Sequence, residues 1–125
     1  MENIVLKGTP NTPIVNFDAS TGVIELTGKS IPEDPFDFYA PLLNWIDGYS
    51  KLPCPQTKVI IKLDYINSSS FKLLLQFLKK IERLYYEHCD VALIWYCEED
   101  DFDMVDAAGV FKSILKMPFE IIETL

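Results

Sequence analysis

Lys58-Val59-Ile60-Ile61-Lys62-Leu63-Asp64-Tyr65-Ile66, followed at once by Asn67-Ser68-Ser69-Ser70, is the stretch that decides the fold. Its first nine residues are rich in β-branched side chains and nearly continuous in apolar character, which predicts a central strand, either covered on both faces or interior to the sheet. The four that follow are small and polar, residues that cap helices rather than extend strands. After them Phe71, Leu74, Leu78, Ile81 and Tyr85 recur at alternating spacings of three and four, reinforced by Leu75 and Leu84. Lys72, Gln76, Lys79, Lys80 and Arg83 take the opposite side. This is the period of an amphipathic helix, here running to about Glu87.

Working outward, Asp90–Tyr96 reads as a second buried strand. The acidic stretch Glu98–Asp103 precedes a helix from about Asp101 to Lys116, and Phe119–Glu123 closes as a strand. From residue 57 onward the order strand, helix, strand, helix, strand predicts parallel strands joined by right-handed crossovers. Upstream, Ile4–Lys7, Pro13–Asp18 and Gly22–Thr27 are short β-like runs separated by turn residues, and predict an antiparallel meander. Between the two halves, Asp34 can cap a helix whose first turn holds Pro35, with Phe36, Tyr39, Leu43 and Ile46 at helical spacing. Pro41 predicts a break, leaving a short first turn and a second segment ending near Gly48. The expected fold is α/β, one domain over residues 1–125. It has a mixed sheet, an N-terminal antiparallel meander and a C-terminal βαβαβ portion, with helices mainly on one face.

With 125 residues, 49% hydrophobic and 24% charged, the chain has the composition of a globular domain, which excludes disorder. No apolar run approaches the ~20 residues that span a bilayer. Met1-Glu2-Asn3-Ile4-Val5-Leu6-Lys7-Gly8 lacks the basic and apolar regions of a signal peptide, so a cytoplasmic location is expected. Cys54, Cys89 and Cys97 form no CxxC pair and are expected to stay reduced. The single histidine, His88, excludes any metal site needing two imidazoles, and no metal or cofactor is expected.

The net charge of −8 is unevenly spread. Residues 1–50 carry two basic and seven acidic side chains, residues 51–97 seven basic and four acidic, and residues 98–125 two basic and eight acidic. A chain this acidic is repelled by a phosphate backbone, so nucleic acid is not the expected partner.

The junction from Leu63 to Ser70 is the point most suited to chemistry. The first N–H groups of the long helix lack partners there and its dipole is positive, so an anion is favoured, bound or attached covalently to a hydroxyl. Phosphorylation would add about −1.5 to −2 charges. A serine-rich cap explains the same residues structurally. The run Glu98-Glu99-Asp100-Asp101-Phe102-Asp103, with Asp106, does not have EF-hand spacing, and fits a solvated helix start, a metal site, or a surface for a basic partner. Lys72, Lys79, Lys80 and Arg83 form the wet face of the helix or part of one docking surface with the serines. Trp45, Trp95, Tyr85, Tyr86 and Phe102 read as core packing. Enzyme signatures are missing: there is no GxSxG elbow and no glycine-rich phosphate loop. A triad through His88 would have to reach serines roughly 30 Å away along the helix.

Four segments, Pro32 to Trp45, Leu63 to Leu78, Trp95 to Met104 and Pro118 to Ile121, together resemble the SiaC family, whose fold is similar to STAS-domain anti-anti-sigma factors. The resemblance covers nearly the whole chain. It implies a non-catalytic partner switch in which a protein kinase phosphorylates a hydroxyl just after the Asn that ends the central strand. A metal-dependent serine/threonine phosphatase removes the group, and the unphosphorylated form binds an effector such as a diguanylate cyclase in biofilm signalling. The matching position is Ser68, after Asn67, where the family commonly has threonine; Ser69 is the substitute acceptor. Asn67 and Ser69 then shape the loop and cap the helix, and Tyr65 and Lys72 flank the docking surface. The alternative function is a small-ligand or anion-binding module at the same helix N-terminus without covalent modification. A metal-dependent enzyme using the acidic run is the third.

Overall fold

The computed structural model describes residues 1–125. Strands β1 (Ile4–Leu6), β2 (Ile14–Asp18) and β3 (Val23–Ser30) lead through helix α1 (Pro35–Tyr49) to β4 (Gln56–Ile66). Helix α2 (Ser68–Tyr86), β5 (Asp90–Glu98), α3 (Phe102–Ile114) and β6 (Phe119–Thr124) complete the chain. All six strands form one sheet in chain order, antiparallel from β1 to β3 and parallel from β3 to β6. The parallel portion therefore begins one strand earlier than the sequence suggested, because α1 is itself a crossover. Each of the three crossovers steps to the next strand in the same direction. Crossovers of one hand then place every helix on one face.

That arrangement decides between the two readings of β4 in favour of a sheet-interior strand covered on one face. Thr57, Val59, Ile61 and Leu63 are buried, whereas Lys58, Lys62 and Asp64 on the other face are exposed. The strand is interior to the sheet, but only one of its faces is roofed. In β5 Val91, Leu93, Trp95 and Cys97 alternate in the same way with half-buried residues. The 26-residue core lies wholly between sheet and helices. Phe17 stacks on Phe77 of α2 at 5.3 Å and tilts against Trp45 of α1 at 5.1 Å. Phe111 of α3 lies 5.0 Å from Trp95 and 4.2 Å from Phe71.

Helix α1 is continuous through Pro41, against the expected break. Proline removes the hydrogen bond to the carbonyl four residues back, that of Asp37. Asp37 and Pro41 are both exposed, so the proline sits on the wet side of the helix, where an unpaired carbonyl costs least. Meanwhile Tyr39, Leu42, Trp45, Ile46 and Tyr49 are all buried on the opposite side and hold the helix to the core.

Helix α2 ends on a residue of unexpected type. His88 has φ 68°, in the left-handed region usually left to glycine. Its N–H donates to the Tyr85 carbonyl at 3.1 Å and that of Cys89 to Leu84 at 2.9 Å, the paired bonds of a Schellman motif. The only histidine thus closes a helix. Since glycine adopts this conformation without a Cβ penalty, His88→Gly is expected to stabilise the fold by about 0.5–1 kcal/mol, read as a higher urea midpoint at unchanged m-value.

Candidate functional site

Parallel βα units bring the carboxyl ends of their strands and the N-termini of the following helices to one edge of the sheet. Here that edge is open. Pairing of β4 with β5 stops at Ile61 and Trp95, although β4 continues beside β3 to Ile66. Past the split, two cavities flank the end of β4. One, of about 390 Å³, is a mainly apolar groove lined by Tyr65, Ile66, Asn67, Ser68, Phe71, Lys72, Asp103, Met104 and Ala107. The other, about 370 Å³, is polar and lined by Lys62, Leu63, Asp64, Tyr96, Cys97, Glu98, Asp101 and Thr124.

Tyr65, which lines the groove, follows directly on a bulge. Register along β3 and β4 runs Gly28 with Leu63 and then Lys29 with Tyr65, so Asp64 is an extra residue on β4. One inserted residue reverses which side of the sheet each later side chain faces. Leu63 is buried, and without the bulge Tyr65 would follow it into the core; instead it is 51% exposed. Gly28, across the bulge, has φ 119°, which a side chain would strain.

The turn into α2 is fixed by three hydrogen bonds. Asn67 is the N-cap, its Oδ1 accepting the Ser70 N–H at 2.9 Å. The N–H of Asn67 donates to the Ser30 carbonyl at 3.1 Å, tying the cap to the end of β3. Ser30 Oγ lies 2.7 Å from the Tyr39 hydroxyl of α1, and both residues are fully buried. Burial pushes the Tyr39 phenol up to about 12, so it remains protonated and keeps this bond across the physiological range. Ser30 and Tyr39 thus link α1 to the cap; this link was not read from the sequence. Removing the Asn67 carbonyl orphans the Ser70 N–H. Asn67→Ala is therefore expected to lower stability by about 1 kcal/mol and to speed hydrogen exchange in the first turn of α2.

The three serines, alike in sequence, separate in space. Ser68 and Ser69 are exposed, and Ser68 alone of the three lines the groove. Ser70 is fully buried, its Oγ without a hydrogen-bond partner. The reciprocal bond of a capping box is denied to it because Ser30 already takes the Asn67 N–H. An acceptor hydroxyl must be accessible, so Ser70 cannot serve. Lys72, one turn beyond Ser68 on the same side of α2, is exposed and lines the groove.

The basic stripe does not stay together. Lys80 is paired with Asp47 of α1 at 2.8 Å, and of the four only Lys72 lines the groove. Nor are three of the aromatic residues core: Tyr85 is 37% exposed, Tyr86 58% and Phe102 75%. Phe102 opens α3 beside Asp103, Met104 and Ala107, which form the far wall of the groove and which sequence reasoning did not connect with Ser68. Asp101 caps α3 by accepting the Met104 N–H at 3.2 Å. In the polar cleft Lys62 Nζ sits 5.0 Å from the centre of the Tyr96 ring. The Cys97 thiol is held above its ordinary value, chiefly by burial and further by Glu123 and Asp101, and so stays protonated.

The one-sided α/β sheet thus sets, at its open edge, an apolar groove beside the accessible Ser68 hydroxyl in the first turn of α2. The chain belongs to the SiaC family of regulatory phosphoproteins, whose family model matches residues 6–124. That membership makes it a regulator and not an enzyme. Apo-SiaC from Pseudomonas aeruginosa is 23% identical and superposes with a TM-score of 0.90 over 99% of this chain and 100% of that one. SiaC as crystallised with the diguanylate cyclase SiaD, whose activator it is, is 22% identical with a TM-score of 0.91 over 97% and 99% of the two chains. A P. aeruginosa protein without an assigned role is 23% identical over 97% of this chain and 96% of its own length. No helix is long and apolar enough to cross a membrane.

Proposed function

We propose that this protein is a cytoplasmic partner switch whose Ser68 hydroxyl accepts a phosphoryl group from a protein kinase and loses it to a serine/threonine phosphatase. Ser69 is the alternative acceptor. The effector docks on the unphosphorylated face formed by Tyr65, Asn67, Ser69 and Lys72, and a diguanylate cyclase is the effector this reading favours. The observation that carries it is the position of Ser68: exposed, in the first turn of α2, and on the lip of an apolar groove. A phosphate there meets the positive end of the helix dipole and Lys72, so the protein tolerates it without refolding. For a partner the change is large, because a dianion now stands where apolar surface must lose its water.

The family to which the chain belongs, and the activator role of SiaC toward SiaD, support a cyclase as effector. The anion-binding alternative has less to stand on, since the groove offers a single cation, Lys72, and sets Asp103 opposite. The test is cyclic di-GMP synthesis by a SiaD-type cyclase from the same genome, with the unmodified protein and with phosphoserine installed at position 68. Stimulation by the unmodified form alone is expected. Equal stimulation by both would remove the switch, and none by either would remove the cyclase.

A further inference from the structure

The groove beside Ser68 has two walls of like construction. Ser68 and Lys72 on α2 are four residues apart, and so are Asp103 and Ala107 on α3; each pair spans one helical turn. The floor is apolar, with Ile66, Phe71 and Met104; Tyr65, 51% exposed, lines it, and Phe102, the residue before Asp103 of the groove wall, is 75% exposed. Large exposed aromatics around an apolar slot are characteristic of recognition surfaces. The surrounding charge has one dominant sign. Asp103 is in the groove, and Asp64, Glu98 and Asp101 line the adjoining cleft, while Lys62 lies over the Tyr96 ring and Lys72 flanks the serine. From Glu98 to Asp106 the chain has no basic residue.

We infer that the groove receives a basic amphipathic helix of the effector, which inserts an apolar side chain against Phe71 and Met104 and sets Lys or Arg toward Asp103 and the acids of the cleft. This rests on the proposed docking face and names what fits it. The apolar floor supplies affinity, and the acidic surround steers the approach and rejects acidic helices. The start of α3 is thus half of the docking surface, and its acids select the partner.

The experiment is a display library of helical peptides with a fixed apolar stripe and randomised flanks, panned against the immobilised, unphosphorylated full chain. Enriched peptides are expected to carry Lys or Arg one turn to either side of the apolar anchor. Their affinity should fall at least tenfold on Asp103→Lys and on Ala107→Tyr, which fills the slot, and stay within twofold on Asp106→Lys, an exposed acid of the same helix outside the groove. Circular dichroism verifies that each variant is folded. Acidic or neutral flanks, no enrichment, binders indifferent to Ala107→Tyr, or a dimer of this chain that Ala107→Tyr dissociates would each overturn the inference. Because the panning uses unmodified protein, its failure leaves phosphate mapping at Ser68 untouched. Conversely, basic binders seated in the groove of a protein never phosphorylated would remove the switch alone.

Discussion

Phosphoserine at position 68 is expected to weaken effector docking about 100-fold, equivalent to about 2.7 kcal/mol, while Ser68→Ala leaves it within twofold. The asymmetry follows from the burial of the two groups in the complex. Alanine removes a small hydroxyl from the edge of an apolar groove and orphans nothing, since the cap of α2 is Asn67 and not Ser68. A phosphate brings about −1.5 to −2 charges that must lose water when a partner closes over Ile66, Phe71 and Met104. Lys72 offsets part of that cost, and Asp103 across the groove adds to it. In the free protein the same group sits on the unpaired N–H donors of α2, so its Tm should hold or rise slightly. Calorimetric titration of the effector and a melting curve on each form separate the two effects. Equal docking by the serine and phosphoserine forms would contradict them. Ser70→Ala is the control: removing an orphaned buried hydroxyl should be neutral or slightly stabilising and leave docking unchanged.

The largest effect on the fold itself is expected at Gly22. Its φ is 76°, and a Cβ there would stand 2.3 Å from the Gln56 carbonyl oxygen and 2.9 Å from the Tyr49 hydroxyl. Neither neighbour has room to move. The Gly22 carbonyl accepts the Lys58 N–H at 2.9 Å where β3 meets β4, and the Tyr49 hydroxyl is engaged with Thr57 at 2.8 Å and with the Cys54 N–H at 3.1 Å. A branched side chain adds left-handed strain to the steric overlap. Gly22→Val should therefore cost about 3–5 kcal/mol, a sizeable part of the 5–15 kcal/mol that holds a domain of this kind together. Urea unfolding reads the change as a lowered midpoint. A loss below about 1 kcal/mol would mean that the β3–β4 junction yields more easily than its hydrogen bonds suggest.

Much of this architecture is legible in the sequence. The period of α2, the caps at Asp34 and Asn67 and the alternation of elements after residue 57 follow from local rules, and local rules decide those features. Lys58, Lys62 and Asp64 fall at even positions on β4, so the open face was also written in the sequence, although the apolar residues between them obscured it. Pro41 misled because whether a helix survives a proline depends on which side faces water, and that is settled by the sheet.

At the site the same division holds. The helix start marked out the junction from Leu63 to Ser70 because it is a local feature, and the family resemblance picked Ser68 and Asn67 within it. The bulge at Asp64 is a matter of register between strands, and its one sequence signal, Gly28, lies 36 residues upstream. The exposure of Tyr65 was therefore not readable. Asp103, Met104 and Ala107 reach Ser68 only through the strand order, yet parallel βα units place successive helix N-termini on one edge, a rule that would have brought the α3 start beside the serines. What separates Ser68, Ser69 and Ser70 is burial, which three identical letters do not carry.

The most direct test of the switch is phosphopeptide mapping of the protein isolated from its own cells across growth conditions, in wild type, Ser68→Ala and Ser69→Ala. A phosphate on Ser68 is expected that appears and disappears with conditions, persists in Ser69→Ala and is absent from Ser68→Ala. A protein that carries no phosphate at either serine under any condition, or whose phosphate lies on a residue away from the α2 N-terminus, would contradict it.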